Sequence, residues 1–234
     1  MTDIALIGAP TRAGAAQSGC QMGPEAFRVA GLAETLAALG HVVADRGDIR
    51  PAPAPEAAHP NPVVKNLGEI IAWTDAIQTA GRSETGFPIF LGGDHSLAAG
   101  SVPAMAARAA AEKRPLFVLW LDAHPDLHTP ATTTSGNLHG APTAYFTGAE
   151  GFEGWPPLSA LVAPENMLMM GLRSVDPAEN ARIAAGGFEV RDMRAIDEHG
   201  VAAPLRAFLA RVAAANGRLH VSLDVDLLAP TKAP

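Results

Sequence analysis

The sequence predicts an α/β protein built on a mainly parallel sheet. Two observations lead there. Short apolar runs alternate with longer Ala-rich segments along the whole chain, the order that strand–helix–strand units produce. Several of those runs, "LFVLWL" at 116–121 among them, are apolar at nearly every position, as strands are when helices cover both faces of their sheet.

Taken in order, the first strand is Ile4–Ile7, an aliphatic run that stops at Gly8. A helix over Pro24–Leu39 follows, with proline in its first turn and Gly40 at its end, the positions each residue favours. Val42–Ala44 is the second strand. Residues 51–62, "PAPAPEAAHPNP", read as a semi-rigid surface connection, because proline denies a segment both helix and ladder hydrogen bonds. Val63–Thr79 is the next helix and Pro88–Leu91 the next strand. The Ala-rich helix Leu97–Lys113 contains Pro103, which predicts a kink or a later start, since proline lacks the N–H and crowds the preceding turn. Strand Leu116–Leu121 comes next, then Met167–Gly171, whose Met167, Met169 and Met170 are read as core side chains. Helix Pro177–Ala185, strand Phe188–Val190, helix Val201–Ala215 and strand Leu219–Leu223 complete the alternation. No repeat and no shift in composition divides the chain, so residues 1–234 are read as one domain.

Composition narrows the function. The 234 residues are 48% hydrophobic and 18% charged, enough apolar material for a self-supporting core. Asp and Glu number 24 against 17 Lys and Arg, a formal charge of −7. No basic stripe is present to neutralise phosphates, so a nucleic-acid partner is not expected. No stretch approaches the roughly 20 apolar residues of a membrane span. Met1 is followed by Thr2 and Asp3 rather than by a basic and then apolar leader. No membrane partner is expected, and the expected location is the cytoplasm. The single Cys20 excludes an intramolecular disulfide and suits a reducing compartment; in its Gly/Gln-rich loop it reads as incidental.

The chemistry is concentrated at three strand ends. In "WLDAHPDLHTP" (120–130), Asp122, His124 and Asp126 lie two apart where the apolar run gives out, and residues two apart share one face of a strand. "HVSLDVD" (220–226) ends with Asp224 and Asp226, again two apart, and "FPIFLGGDHS" (87–96) ends in a glycine pair followed by Asp94 and His95. In open parallel sheets, ligand sites lie beyond the carboxyl ends of the strands. One Asp at a strand end is commonly a turn former, and one His a hydrogen-bonded polar residue. Six such groups on three strand ends need a shared partner, because gathered carboxylates repel and buried charge is costly unless paired. Two divalent cations would neutralise Asp122, Asp126, Asp224 and Asp226, with His95 and His124 as nitrogen ligands. This donor mix suits manganese, iron or zinc better than calcium or magnesium, and two such ions about 3.5–4 Å apart activate a shared water. Asp94 is a candidate for orienting His95 from outside the ligand set. The loop "HTPATTTSGNLHGAP" (128–142) follows directly. There His128, Ser135 and Asn137 are placed to hydrogen-bond the polar end of a ligand, and His139, titrating near neutrality, to shuttle protons.

Together "GGDHS", "DAHPDLHT", "TTTSGNLHG" and "SLDVD", in this order and spacing, resemble the ureohydrolases, and the Ser–Gly–Asn–Leu–His–Gly loop resembles the arginases within them. The likeness begins at "IGAP" (7–10) and "MGPEAFRVAGL" (22–32) and runs through the chain. The resemblance implies a three-layer αβα sandwich with the metal site at the C-terminal ends of the strands. It implies two Mn2+ ions per chain and hydrolysis of the guanidinium group of L-arginine to L-ornithine and urea by a metal-bridging hydroxide. Carried over by position, one ion falls to His95, Asp122, Asp126 and Asp224, the other to His124, Asp122, Asp224 and Asp226. Ser135 and Asn137 resemble contacts to the substrate carboxylate, and Asp176 the contact to its amino group, with Glu179 on the same helix start assisting. Asp126 is implied as the group that relays a proton to the leaving amine, and His139 resembles the proton shuttle. The implied partner is a small guanidino substrate, and the chain is expected to be a homo-oligomer, a trimer or hexamer as in the family.

Three positions depart from that pattern. His128 stands where arginases commonly have Asn, Ser174 where an acidic residue is common, and Ala229 precedes Pro230 where the family has Asp. The family's final strand and helices, with a glutamate that holds the guanidinium and a tail used in subunit contacts, have no counterpart in residues 1–234. Other readings stay open here. Agmatinase or guanidinobutyrase activity would leave Asp176 and the Ser135/Asn137 loop without the α-amino acid groups they suit. A non-catalytic assembly subunit would bind no metal pair, and a single-zinc hydrolase of the deacetylase type would need fewer carboxylates.

Overall fold

The computed structural model describes residues 1–228; the departure at Ala229 and Pro230 lies outside the described residues. Three strands, β1 (Asp3–Ala9), β2 (Val42–Asp48) and β3 (Phe87–Gly92), hydrogen-bond in the order β2-β1-β3. Four more, β4 (Leu116–Leu121), β5 (Met167–Met170), β6 (Glu189–Arg191) and β7 (Arg218–Leu223), form a second sheet in the order β6-β5-β4-β7. Every pairing is parallel, as the near-continuous apolar runs predict. The helices are α1 (Gly23–Val29), α2 (Leu32–Ala38), α3 (Leu67–Ser83), α4 (Ala98–Ala111), α5 (Pro142–Phe146), α6 (Pro177–Gly186), α7 (Met193–His199) and α8 (Ala202–Ala214).

Alternation along β4 builds the layers. Val118 and Trp120 pack with Met167, Met169, Val102, Ala106 and Phe146, which brings α4 and α5 onto one face. Phe117 and Leu119 pack with Leu168, Met170, Phe208 and Val212, which brings α8 onto the other. Each large side chain fully buried here contributes roughly 1.5–3 kcal/mol of transfer free energy. The three methionines of β5 are core residues, as expected. The β4–β7 register sets Trp120 opposite Ser222 and Leu121 opposite Leu223, so the two strands end side by side and deliver Asp122 and Asp224 together.

The structure differs from the sequence expectation at several boundaries. The single helix expected over Pro24–Leu39 is two helices, α1 and α2, because Gly31 adopts a left-handed φ of 80° between them, a conformation that interrupts the helical ladder and suits glycine. The next helix starts at Leu67 rather than Val63: Asn66 is left-handed, and the Lys65 N–H donates to the Gly136 carbonyl at 3.0 Å, committing that backbone to the Thr/Ser-rich loop. Helix α4 continues through Pro103. It lies so close to α3 that a Cβ on Gly100 would be 2.5 Å from Ile77 Cβ, and this packing outweighs the one backbone bond the proline forgoes. Helices α5 and α7 were not foreseen. They span 5 and 7 residues, too few for a helical period to register. Among the described residues, no helix is long and apolar enough to cross a membrane.

The glycine pair after β3 is needed for space. A Cβ at Gly93 would lie 1.8 Å from the Thr11 carbonyl oxygen and 2.7 Å from the Thr11 nitrogen, both backbone atoms. The Gly93 N–H donates to Ala9 O and the Asp94 N–H to Thr11 O, each at 2.9 Å. We expect Gly93→Ala to cost about 3 kcal/mol, the upper end of overpacking penalties, read as a lowered midpoint in denaturant unfolding.

Candidate metal centre

β3, β4 and β7 end at one place, although β3 belongs to one sheet and β4 and β7 to the other. His95 opens a short 3-10 turn capped by Asp94, whose Oδ1 accepts the Ser96 N–H at 2.9 Å. The other oxygen of Asp94 accepts the N–H groups of Gly14 and Ala15 at 2.9 and 3.1 Å. Asp94 therefore ties β3 to the loop after β1 and does not orient His95, contrary to the sequence expectation. That task falls to two residues the sequence reading missed. His95 Nε2 lies 2.8 Å from Ser222 Oγ, and Trp120 stacks on the imidazole with ring centroids 4.3 Å apart. Both stand two residues before a strand-end aspartate, on the same strand face, so the period of two was the available signal.

With Nε2 engaged by Ser222, His95 Nδ1 faces Asp122 Oδ2 at 2.8 Å, Asp126 Oδ2 at 3.1 Å and Asp224 Oδ2 at 3.4 Å. His124 Nδ1 faces Asp226 Oδ2 at 3.0 Å and Asp122 Oδ1 at 3.5 Å. The two donor groups share Asp122, one oxygen to each. Backbone bonds set the carboxylates in place: the His124 N–H donates to Asp122 Oδ1 at 2.7 Å, the Ala123 N–H to Asp226 Oδ1 at 3.0 Å and the Asp226 N–H to Asp224 Oδ1 at 3.0 Å. Asp126 holds a left-handed φ of 51°, a cost that short polar residues bear best and that marks a constrained position.

Electrostatics at the cluster are coupled. Burial acts to lower the His95 pKa, but Asp122 and Asp126 outweigh it and hold the imidazole well above its ordinary value. Asp122 and Asp226 raise His124 to about 10. Burial, with the like charge of Asp122, pushes Asp126 up to about 7. Burial acts against ionisation of Asp122, yet the facing imidazoles of His124 and His95 hold it well below the carboxylate range. Asp224 is raised by burial. The donor set fits cations by a direct test: His95 Nδ1 and Asp122 Oδ2 are buried, lie 2.8 Å apart and still make no hydrogen bond. Both point into the same space, as ligands of one ion do.

The remaining residues singled out from the sequence line the same cleft of about 180 Å³: His128, Ser135, Asn137, His139, Asp176 and Glu179. His128 Nε2 lies 3.0 Å from Asp176 Oδ2, with its Nδ1 3.2 Å from Thr132 Oγ1. Glu179 is buried and accepts the Leu127 and Asp176 N–H groups at 3.1 and 3.0 Å, reaching back to the start of α6 as a capping-box glutamate does. Ser135 Oγ accepts the Asn137 N–H at 3.2 Å, and Asn137 Oδ1 accepts from Lys65 Nζ at 3.1 Å; Lys65 was not foreseen. Burial holds the His139 pKa below its ordinary value. A larger hollow of about 610 Å³ lies between the Pro/Ala loop and the start of α3. Convergent donors, not volume, single out the smaller cleft.

The Arginase family model matches residues 2–234. The arginase of Agrobacterium fabrum is 55% identical over 232 residues, which cover 98% of this chain and 72% of that protein. The chain belongs to the arginase family. Among solved structures, arginase from Bacillus cereus matches with a TM-score of 0.87 at 32% identity, covering 100% of this chain and 78% of that one. Native arginase from Bacillus caldovelox matches at 0.86 and 32% identity, covering 100% and 79%. The α/β fold with parallel sheets is thus that of the family, and the chain spans about three quarters of these relatives' length.

The raised imidazoles have a measurable consequence. The folded pKa of His124, about 10, exceeds its ordinary 6.5. Its contribution to metal-free stability is therefore complete below pH 6.5 and is lost as pH rises through about 10. Cation ligands must be neutral imidazoles. Loading Mn2+ at pH 7 is expected to release at least about one proton per chain, measured by calorimetry in buffers of different ionisation enthalpy. Loading with no proton release would show that the imidazoles are already neutral at pH 7 in the metal-free protein.

Proposed function

We propose that this chain is a manganese-dependent arginase that hydrolyses L-arginine to L-ornithine and urea. Hydrolysis of C–N bonds in linear amidines is the chemistry of its family, and the chain is an enzyme of that class. What carries the finer reading is the pair of imidazole–carboxylate groups sharing Asp122. Their cleft also holds a carboxylate, Asp176, and the hydroxyl–amide pair Ser135 and Asn137. Residues 1–234 are read as one functional unit, and a trimer or hexamer is part of the same reading.

Two divalent cations held by His95, Asp122, Asp126 and Asp224, and by His124, Asp122, Asp224 and Asp226, would neutralise the carboxylates and supply both a nucleophile from water near neutral pH and stabilisation of developing negative charge. The chain's own residues do the rest. The acidic cleft attracts the cationic guanidinium. Asp176 pairs with the substrate α-ammonium, Glu179 holds Asp176 at the helix start, and Ser135 and Asn137 hydrogen-bond the α-carboxylate. His128, set against Asp176, bears on the amino end of the substrate. Asp126, at the rim of the cluster, gains a proton and passes it to the leaving amine. His139, kept neutral by burial at the cleft, exchanges protons with bulk water.

A second reading, an amidinohydrolase acting on a decarboxylated substrate, draws on His128, which is engaged by Asp176 at 3.0 Å rather than left to bind a carboxylate. Urea assays on arginine and agmatine separate the two. We expect kcat/KM for arginine to exceed that for agmatine by at least about 100-fold, because agmatine leaves Ser135 and Asn137 unpaired; the reverse order would replace arginine as the substrate. Asp126→Ala should abolish urea release, and His139→Ala should lower kcat by about 10²-fold or more. Undiminished turnover in either variant would strip that residue of its role.

A further inference from the structure

The turn that follows β7 is thinly held for a segment carrying two candidate ligands. Val225 and Leu228 are 62% and 50% exposed, so little apolar burial restrains it. Among the described residues, the backbone carbonyls of Asp226, Leu227 and Leu228 find no acceptor role within the turn. All three accept from one guanidinium. Arg173 Nη2 donates to Asp226 O and, at 3.0 Å, to Leu228 O, while Nη1 donates to Leu227 O at 3.1 Å.

The same residue reaches the other ligand loop. The backbone N–H groups of Arg173 and Ser174 donate to the Ala123 carbonyl at 2.9 and 3.1 Å, and Ala123 sits between Asp122 and His124. The Ala123 N–H in turn donates to Asp226 Oδ1 at 3.0 Å. Two residues before Arg173, Gly171 adopts a φ of 97°, and a Cβ there would lie 2.1 Å from Leu227 Cδ1. The segment 171–174 thus receives the turn twice, through space left for Leu227 and through the guanidinium over its carbonyls. The main chain at Asp224 has an anchor of its own, its N–H donating to Leu121 O at 2.9 Å to continue the β4–β7 ladder, while its O and Oδ1 accept from the turn, the Leu227 N–H at 3.2 Å and the Asp226 N–H at 3.0 Å.

From these contacts we infer that Arg173 is a positioning residue for the second cation, the one assigned to His124 and Asp226, and acts by fixing the backbone that aims Asp226. The inference rests on the two-cation reading above. A planar guanidinium fork satisfies three carbonyls at once, which an ammonium cannot reproduce. Removing it frees residues 226–228 while leaving His95, Asp122, Asp126 and the strand-anchored backbone of Asp224 in place.

The test is a Mn2+ titration followed by the electron paramagnetic resonance signal of free ion, on the unaltered chain, Arg173→Met, Arg173→Lys and Leu227→Ala, with thermal melts of each metal-free protein. The unaltered chain should bind two ions. Arg173→Met should bind one with unchanged affinity and the other about 10–100-fold more weakly, the range for lost outer-sphere support, with partial recovery in Arg173→Lys. Two ions bound normally by Arg173→Met, or both weakened equally, would overturn the inference. Should Arg173→Met not fold, Leu227→Ala, which loosens the same turn and keeps the guanidinium, must weaken the same single ion; unaltered binding there overturns it too. Fewer than two ions on the unaltered chain would instead bring down the two-cation reading itself.

Discussion

Everything at the candidate centre depends on one carboxylate. Asp122 is 1% exposed and turns one oxygen to His95 and the other to His124. Around it stand Asp126, Asp224 and Asp226, and two unit charges 4 Å apart interact by about 4 kcal/mol at an effective dielectric of 20. A set of this kind holds together only with compensating positive charge. In the metal-free protein the imidazoles supply it by taking up protons; with cations bound they revert to neutral donors. The raised pKa values of His95 and His124 follow from that demand, and burial beside the like charge of Asp122 raises Asp126.

The scaffold meets the demand with rigid elements. β4 and β7 end in register, so Asp122 and Asp224 are set by the sheet ladder rather than by loop conformation. Trp120, fully buried in the core, lies flat on His95, linking hydrophobic packing to ligand orientation. Backbone N–H groups then aim individual carboxylate oxygens. These are the shared features of preorganised sites, in which surrounding bonds decide how well the ligands themselves work.

The cluster is also a joint between the two sheets. Among the described residues β3 pairs with β1 and not with β7, yet His95, just beyond β3, bonds Ser222 of β7 and faces Asp122 beyond β4. Cations bound there would tie the two sheets together, so site occupancy and folding stability are thermodynamically linked.

By itself the sequence determined the strand–helix alternation, the parallel pairing, the burial of Met167, Met169 and Met170, and the gathering of His95, Asp122, His124, Asp126, Asp224 and Asp226 at strand ends. These follow from periodicity, which is local and survives in one dimension. Only the tertiary structure decided that Asp94 serves the loop after β1, that Ser222 and Trp120 orient His95, that His128 turns to Asp176, and that Gly31 splits one helix into two. It also decided that Arg173, some fifty residues from the turn it braces, reaches Asp226, Leu227 and Leu228. Such partners are chosen by distance in space between segments remote in the chain, and hydrogen-bond geometry of that kind leaves no periodic trace in the order of residues.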